Sequence, residues 1–180
     1  MKRRNIWMLV SLVSAATLGT SPAFGQGHAQ TRQGFWFNGG LGYGSLGCGD
    51  CSDRTGGLSG SLSLGATLNS HILLGVGTTG WTKSESGATM TVGTLDARLR
   101  FYPAAAGGFF LTSGIGVGSV RMETIFGNGS EMGWGVVLGL GYDIRISNNI
   151  SLTPFWNGFA VKSSNLDANV GQLGLSITTH

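Results

Sequence analysis

The sequence predicts an all-β chain: an eight-stranded, antiparallel, up-and-down transmembrane β-barrel, preceded by a cleavable signal peptide. The first observation behind this is a period of two. From Gly133 to Ser147, Trp134, Val136, Leu138, Leu140, Tyr142, Ile144 and Ile146 take every second position. Gly133, Gly135, Val137, Gly139, Gly141, Asp143 and Arg145 fill the places between. Successive strand side chains point to opposite faces, so this spacing gives one apolar face and one face of glycine and charge. The second observation is composition. Only 11% of residues are charged, against about 25% in soluble domains, and 33 of the 180 are glycine, far above the usual share of about 7%. The third is that no window past residue 25 holds the roughly 20 consecutive apolar residues of a membrane helix. A sheet whose second face is Gly, Asp and Arg leaves its apolar face to lipid, and a closed barrel satisfies every backbone N–H and C=O without water.

The first element is an address. Lys2, Arg3 and Arg4 form a basic n-region, Ile6 to Leu18 an apolar stretch too short to span a bilayer, and Ala23-Phe24-Gly25 a small-residue cleavage site. The expected division is a signal peptide over 1–25 and a barrel domain over 26–180. Removing the three leader cations brings the 11 Lys+Arg to parity with the 8 Asp+Glu. The basic character therefore belongs to the leader, and a nucleic-acid partner loses its electrostatic footing.

Gln26 to Gln33 is a polar lead-in. Strand one sets Phe35, Phe37, Gly39, Leu41 and Tyr43 against Trp36, Asn38, Gly40, Gly42 and Gly44, and Cys48 to Gly57 reads as a loop. Strand two alternates Leu58, Gly60, Leu62, Leu64, Ala66 and Leu68 with Ser59, Ser61, Ser63, Gly65 and Thr67, before a tight turn at Asn69-Ser70. Strand three carries Ile72, Leu74 and Val76 opposite Gly75, Gly77 and Thr79. Strand four, about Thr89 to Tyr102, sets Leu95, Ala97, Leu99 and Phe101 against Thr94, Asp96, Arg98 and Arg100. Pro103 to Gly108 turns the chain into strand five, with Phe109, Leu111, Ile115 and Val117 against Thr112, Gly114, Gly116 and Gly118. Phe126 to Glu131 is its expected loop. Strand six is the stretch to Ser147, closed by Asn148-Asn149. In strand seven, Ile150 to Lys162, the run Pro154-Phe155-Trp156 predicts a bulge. Strand eight sets Leu173, Leu175 and Ile177 against Gln172, Gly174, Ser176 and Thr178.

Connections after strands two, four and six are short, and those after one, three, five and seven more polar. Outer-membrane barrels place short turns in the periplasm and loops outside, so both termini are expected on the periplasmic side. The aromatic residues read as two interfacial girdles: Phe35, Phe37, Phe101, Tyr102, Phe109 and Tyr142 at the turn end, and Tyr43, Trp81, Phe126 and Trp134 at the loop end.

With an N-terminal signal, F-W-F-N-G-G-L-G-Y-G opening the first strand, eight alternating strands and short alternate turns, residues 34–180 resemble the small OmpA/OmpX-like outer-membrane β-barrel superfamily. The resemblance implies a monomeric barrel in a Gram-negative outer membrane, with membrane lipid and the barrel-assembly machinery as its partners. It does not imply one activity, since the superfamily includes anchors, adhesion and resistance proteins and lipid A-modifying enzymes. Many members end in an aromatic residue, whereas this chain ends Thr178-Thr179-His180.

The candidate site is a set of charges on the lumen face: Asp96, Arg98, Arg100, Asp143 and Arg145. An eight-stranded barrel is only wide enough for side chains to fill, and an unpaired buried charge is costly. The expected arrangement is therefore a plug of ion pairs, with an ion path as the rival. Cys48-Gly49-Asp50-Cys51 has C-x-x-C spacing but lies in a loop of an exported chain, so a small Cys48–Cys51 disulfide is expected ahead of a redox or metal role. Gly75-Val76-Gly77-Thr78-Thr79-Gly80 matches G-x-G-x-x-G, yet its glycines alternate within one strand instead of opening a helix. Lipid A deacylases of this architecture use a His and a Ser on the barrel exterior near the outer leaflet. His28, His71 and His180 are not expected at that height. No catalytic residue, metal set or cofactor is therefore assigned.

The expected function is non-enzymatic: an integral outer-membrane barrel with a packed polar lumen and a structural or surface-interaction role through its outer loops, whose ligand the sequence does not name. The alternatives are an outer-membrane enzyme acting on lipid A or peptide, a small pore, and a soluble lipocalin-like barrel with its apolar residues inside.

Overall fold

The computed structural model describes residues 32–48, 53–125, 127–163 and 167–180. The strands are β1 (Phe35–Cys48), β2 (Thr55–Thr67), β3 (Ile72–Glu85), β4 (Ala88–Phe101), β5 (Phe109–Thr124), β6 (Gly127–Tyr142), β7 (Ile144–Ser147), β8 (Ile150–Lys162) and β9 (Asp167–Thr179). Every neighbouring pair is antiparallel, β1 pairs with β9, and β6 also pairs with β8, which closes the sheet on itself. β6 and β7 both lie against β8 in one register, Gly141 opposite Phe155 and Ile144 opposite Leu152. They are two halves of one barrel strand, so the barrel has eight staves. Among the described residues no helix is long and apolar enough to cross a membrane.

Facing follows the period. Leu41, Leu95, Ile115, Leu138, Leu173 and Leu175 point outward and are 57% exposed or more, an exterior that matches hydrocarbon and not water. Ser61, Thr79, Thr94, Asp96, Arg98, Asn157 and Gln172 point inward and are buried. The lipocalin-like alternative requires the reverse arrangement and is excluded.

The interior is not polar throughout, as the sequence suggested, but layered. At the loop end Leu46, Trp81, Val92, Val120, Val137, Phe159, Val161, Ala168 and Val170 form an apolar cluster. At the turn end Trp36, Leu73, Tyr102 and Phe110 form a second, and the polar residues lie between. Two aromatic assignments are corrected with it. Trp81 and Tyr102, expected in the girdles, are 2% and 0% exposed inside the barrel. Both stand at lumen-facing positions, Trp81 two residues after Thr79 and Tyr102 two after Arg100, and the strand period outweighs an aromatic side chain's taste for the interface. Trp81 fits because Gly44 and Gly57 face it: a Cβ at either would stand 2.7 or 2.8 Å from the indole. Phe35, Phe37, Phe101 and Phe109 at one end, with Tyr43 and Trp134 at the other, are exposed as girdle residues should be. Phe126 lies outside the described residues.

Two further expectations change. β8 carries no bulge: Ser151, Thr153, Phe155, Asn157, Phe159 and Val161 are all buried, and its pairing with β9 runs without a shift from Ile150 to Lys162. The irregularity falls on the neighbouring stave. It breaks at Asp143, beside Pro154, which has no N–H to give the ladder, and the register slips between Arg145 and Ser147. The expected loop after strand five is also mostly strand, because β6 begins at Gly127. With 16 residues each, against the roughly 9–11 that cross a bilayer, β5 and β6 extend past the loop end of β8: Gly127 to Gly133 pair with β5 alone, while Arg121, Met122 and Glu123 still pair with β4. The β3–β4 turn is tight: Glu85 pairs with Ala88 around Ser86 and Gly87, both with positive φ (51° and 81°), the two-residue geometry whose twist suits a hairpin.

Candidate functional site

The five lumen charges separate into two centres. On β4, Asp96, Arg98 and Arg100 are two residues apart and so share the inner face. Arg98 grips Asp96 with two donors, Nε to Oδ1 at 2.6 Å and Nη2 to Oδ2 at 2.7 Å. Nη2 also reaches Thr79 Oγ1 at 3.0 Å, and Thr94 donates to Asp96 Oδ2 at 3.3 Å. The two side chains are 3% and 0% exposed. Glycine on both neighbouring strands makes the room: a Cβ at Gly77 would lie 2.8 Å from Arg98 Cζ, and one at Gly114 would collide with Asp96 Oδ1.

Asp143 belongs to the other centre, at the break between β6 and β7, which Tyr102 reaches from just past the end of β4. Its Oδ2 accepts from the Tyr102 hydroxyl at 2.7 Å and its Oδ1 from Thr153 Oγ1 at 2.6 Å. Thr153 has one proton and gives it to Asp143, so Thr178 must donate to Thr153 across 2.9 Å, and Asn38 Nδ2 donates to Thr178 at 2.8 Å. The result is a directed chain from β1 through β9 and β8 to the broken stave, and it ties the barrel's closure together where Pro154 interrupts the ladder. His180 brings Nε2 to 3.6 Å from Asp143 Oδ2. Arg145 is half-buried at this end. Arg100 stands between the centres with its guanidinium on two rings, Cζ at 4.2 Å from the Phe110 centroid and 4.9 Å from that of Trp36.

Sequence reading missed Arg32, which caps the turn end. It precedes β1, lies 3.4 Å over the Tyr102 ring, and donates to the carbonyls of Ala105 and Gly107; its burial there draws its pKa downward. Nothing in its surroundings is periodic, so no pattern pointed to it. Tyr102 and His180 carried a signal that went unused: each continues the inner-face parity of its strand, as Trp81 does on β3.

The interior is closed at its middle. Its central cavity is about 10 Å³, room for about one water. A second recess opens at the loop end, about 410 Å³ in volume, on a floor of Leu46, Trp81, Met90 and Ala168 with Met122 on its wall. Asp53, Lys83 and Glu85 stand at its rim. Lys83 Nζ lies 2.7 Å from Glu85 Oε2 and holds that exposed carboxyl, clear of the apolar band, below its usual range. The expected Cys48–Cys51 disulfide lies outside the described residues, as do Cys51 and the Cys48 side chain. The glycines of the G-x-G-x-x-G match lie within β3, with no helix after them. His71 Nδ1 sits 2.8 Å from the Tyr102 carbonyl at the turn end.

No family model matches the chain, and no curated protein does. Solved structures do. Neisserial surface protein A (NspA) shares 15% identity at a TM-score of 0.61, over 83% of this chain and 99% of its own. Ail, the attachment invasion locus protein of Yersinia pestis, shares 11% at 0.57, over 82% and 99%. The N-terminal β-barrel domain of OprF from Pseudomonas aeruginosa shares 12% at 0.50, over 82% and 99%. The likeness shows the fold: the chain has the closed eight-stranded architecture of the small OmpA/OmpX-like outer-membrane barrels.

Proposed function

We propose that the chain is an integral outer-membrane protein that neither conducts nor catalyses, and that it works as a membrane-anchored binding surface through its loop end, with both termini in the periplasm. The observation that carries this is the contrast between the two ends of the lumen. The middle is closed to about one water and the turn end is capped by Arg32. The loop end instead offers a recess in the size range of small-ligand sites, apolar below and charged at the rim, beside the β5–β6 extension. Outer-membrane lipid covers the apolar exterior, and the fold needs no second subunit to bury it.

The enzymatic alternative finds little support at the same end. A lipid A hydrolase of this shape needs a base near the outer leaflet, whereas His71 faces a turn-end carbonyl and His180 is buried beside Asp143.

Three measurements test the reading. In planar bilayers the refolded protein should give no unitary current steps; ohmic steps would make it a pore. Overexpressed in an outer membrane, it should leave the mass spectrum of lipid A unchanged; a shift by an acyl chain would make it an enzyme. An epitope inserted between Ser86 and Gly87 should be reached by antibody on intact cells, and an epitope appended after His180 only after permeabilisation. The opposite pattern would invert the barrel.

A further inference from the structure

The floor of the loop-end recess offers a guest hydrocarbon and sulfur. Leu46 and Ala168 belong to the apolar cluster beneath it. Trp81 donates its indole N–H to the Gly44 carbonyl at 3.1 Å and so brings the recess no free donor. Met90 and Met122 add two unbranched thioethers, side chains that adapt to guests of varied shape. A space of about 410 Å³ over such a floor suits an apolar body.

The rim decides the charge of that guest. Asp53 and Glu85 bring two carboxylates against the one ammonium of Lys83, an excess of one negative charge. The other cations of the loop end are placed elsewhere. Arg54 donates to Ser45 and Asn169, which share the outward parity of Leu41 and Leu173 on β1 and β9. Arg121 shares that of Val117 on β5, and Lys162 lies 3.5 Å from Asp167 on the surface. Lys83 is itself engaged by Glu85 at 2.7 Å, whereas Asp53 has no ion pair among the described residues. An anionic guest would have to displace Glu85 from Lys83; a cationic one meets Asp53 uncontested.

We propose, on the reading of the loop end as a binding surface, that the recess is a site for small amphipathic amines. Their aromatic or aliphatic body lies on Leu46, Trp81 and the two methionines, and the protonated amine stays at the rim, held by Asp53 and Glu85. The head keeps part of its water there, so the charge is met without the cost of burying it. Selection then works through the sign of the head more than through the shape of the body, to which methionine adapts.

The probes are phenylbutylamine, phenylbutanol and phenylbutyrate, one body with three heads. They are titrated into refolded protein in nanodiscs of zwitterionic lipid, with methionine labelled at its methyl carbon for NMR. The amine should shift the Met90 and Met122 methyl signals saturably. Met132, 80% exposed and at the outward parity of Trp134, should hold still, since it reports partition into lipid. The amine should bind at least about fivefold more tightly than the alcohol, the ratio one exposed ion pair can supply, and the butyrate most weakly of the three. Asp53→Asn combined with Glu85→Gln should remove the preference for the amine; should that variant fail to fold, the wild-type ranking decides alone. Equal affinities, a preference for the butyrate, or a ranking untouched by the double variant would overturn the proposal while leaving the recess a binding site. If none of the three probes moves Met90 or Met122, the recess is not a site, and the reading of the loop end falls with the proposal.

Discussion

Replacing Asp96 with alanine should be among the most damaging single changes in the barrel. The reason is what it leaves behind. Arg98 would keep its charge at 3% exposure with only the 3.0 Å contact to Thr79, having lost two bonds of 2.6 and 2.7 Å. Charge-assisted bonds contribute about 1.5–3 kcal/mol each, and removing one member of a buried pair costs about 3–5 kcal/mol; the two estimates overlap. At about 1.4 kcal/mol per tenfold, the folding constant should fall by roughly two to three and a half orders of magnitude. The assay is reversible urea unfolding of refolded protein in detergent, followed by the heat-modifiable shift of folded barrels on gels. Asp96→Leu combined with Arg98→Met should recover most of the loss, since replacing both ions by apolar groups of similar volume is often neutral or stabilising. If Asp96→Ala lay within about 1 kcal/mol of wild type, the pair would be behaving as an exposed one and the sealed lumen would be wrong. If the double variant were as unstable as the single one, shape and not charge would be the cause.

Gly44→Ala should push against Trp81, whose Cδ1 lies 2.7 Å from the new Cβ. It should cost about 1–3 kcal/mol as an overpacked site, with partial rescue by a second change of Trp81→Leu in the same urea assay. In bilayers of chain-brominated lipid, Trp134 and Trp156, 72% and 43% exposed, should be quenched while Trp36 and Trp81, 0% and 2% exposed, should not. The double variant Trp134→Phe, Trp156→Phe should therefore emit equally in brominated and ordinary lipid, and residual quenching would put Trp81 back in the girdle. Tyr102→Phe removes one of the two hydroxyl donors on Asp143 and should cost about 1.5–3 kcal/mol. A neutral result would mean that the turn-end centre is held by other bonds.

Where the sequence led correctly, it did so through parity. The alternation around Leu138 and Leu175 sets the outer face, Asp96 and Arg98 fall on the inner one, and the structure keeps both. Where the reading failed at Trp81 and Tyr102, parity was overruled by residue type, although Gly44 and Gly57 leave the space an inward indole needs. Pro154 shows a different limit. A proline's missing donor is felt across the ladder, so the break appears at Asp143, on a strand whose own sequence is regular. Arg32 was illegible as part of the turn-end centre because it lies ahead of the periodic chain and is placed by tertiary contacts with the Ala105 and Gly107 carbonyls, whereas His180, beside Asp143, continues the inner-face parity of Thr178.

The layering gives the middle of the barrel and its loop end different electrostatics, and the proposed function rests on that difference. A charge pair between two apolar layers stands in a medium of low effective dielectric, where attraction is strong and separation costly. Arg98 and Asp96 are thus held in place as firmly as any apolar side chain, and a group so held cannot follow a substrate through a reaction. At the loop end the terms reverse. The floor of Leu46, Trp81, Met90 and Ala168 is fixed by the cluster beneath it, while Lys83 and Glu85, 33% and 69% exposed, make a pair that water screens and a ligand can displace at little cost. On the proposed function, this apolar floor under a water-screened charged rim is where a partner binds and releases.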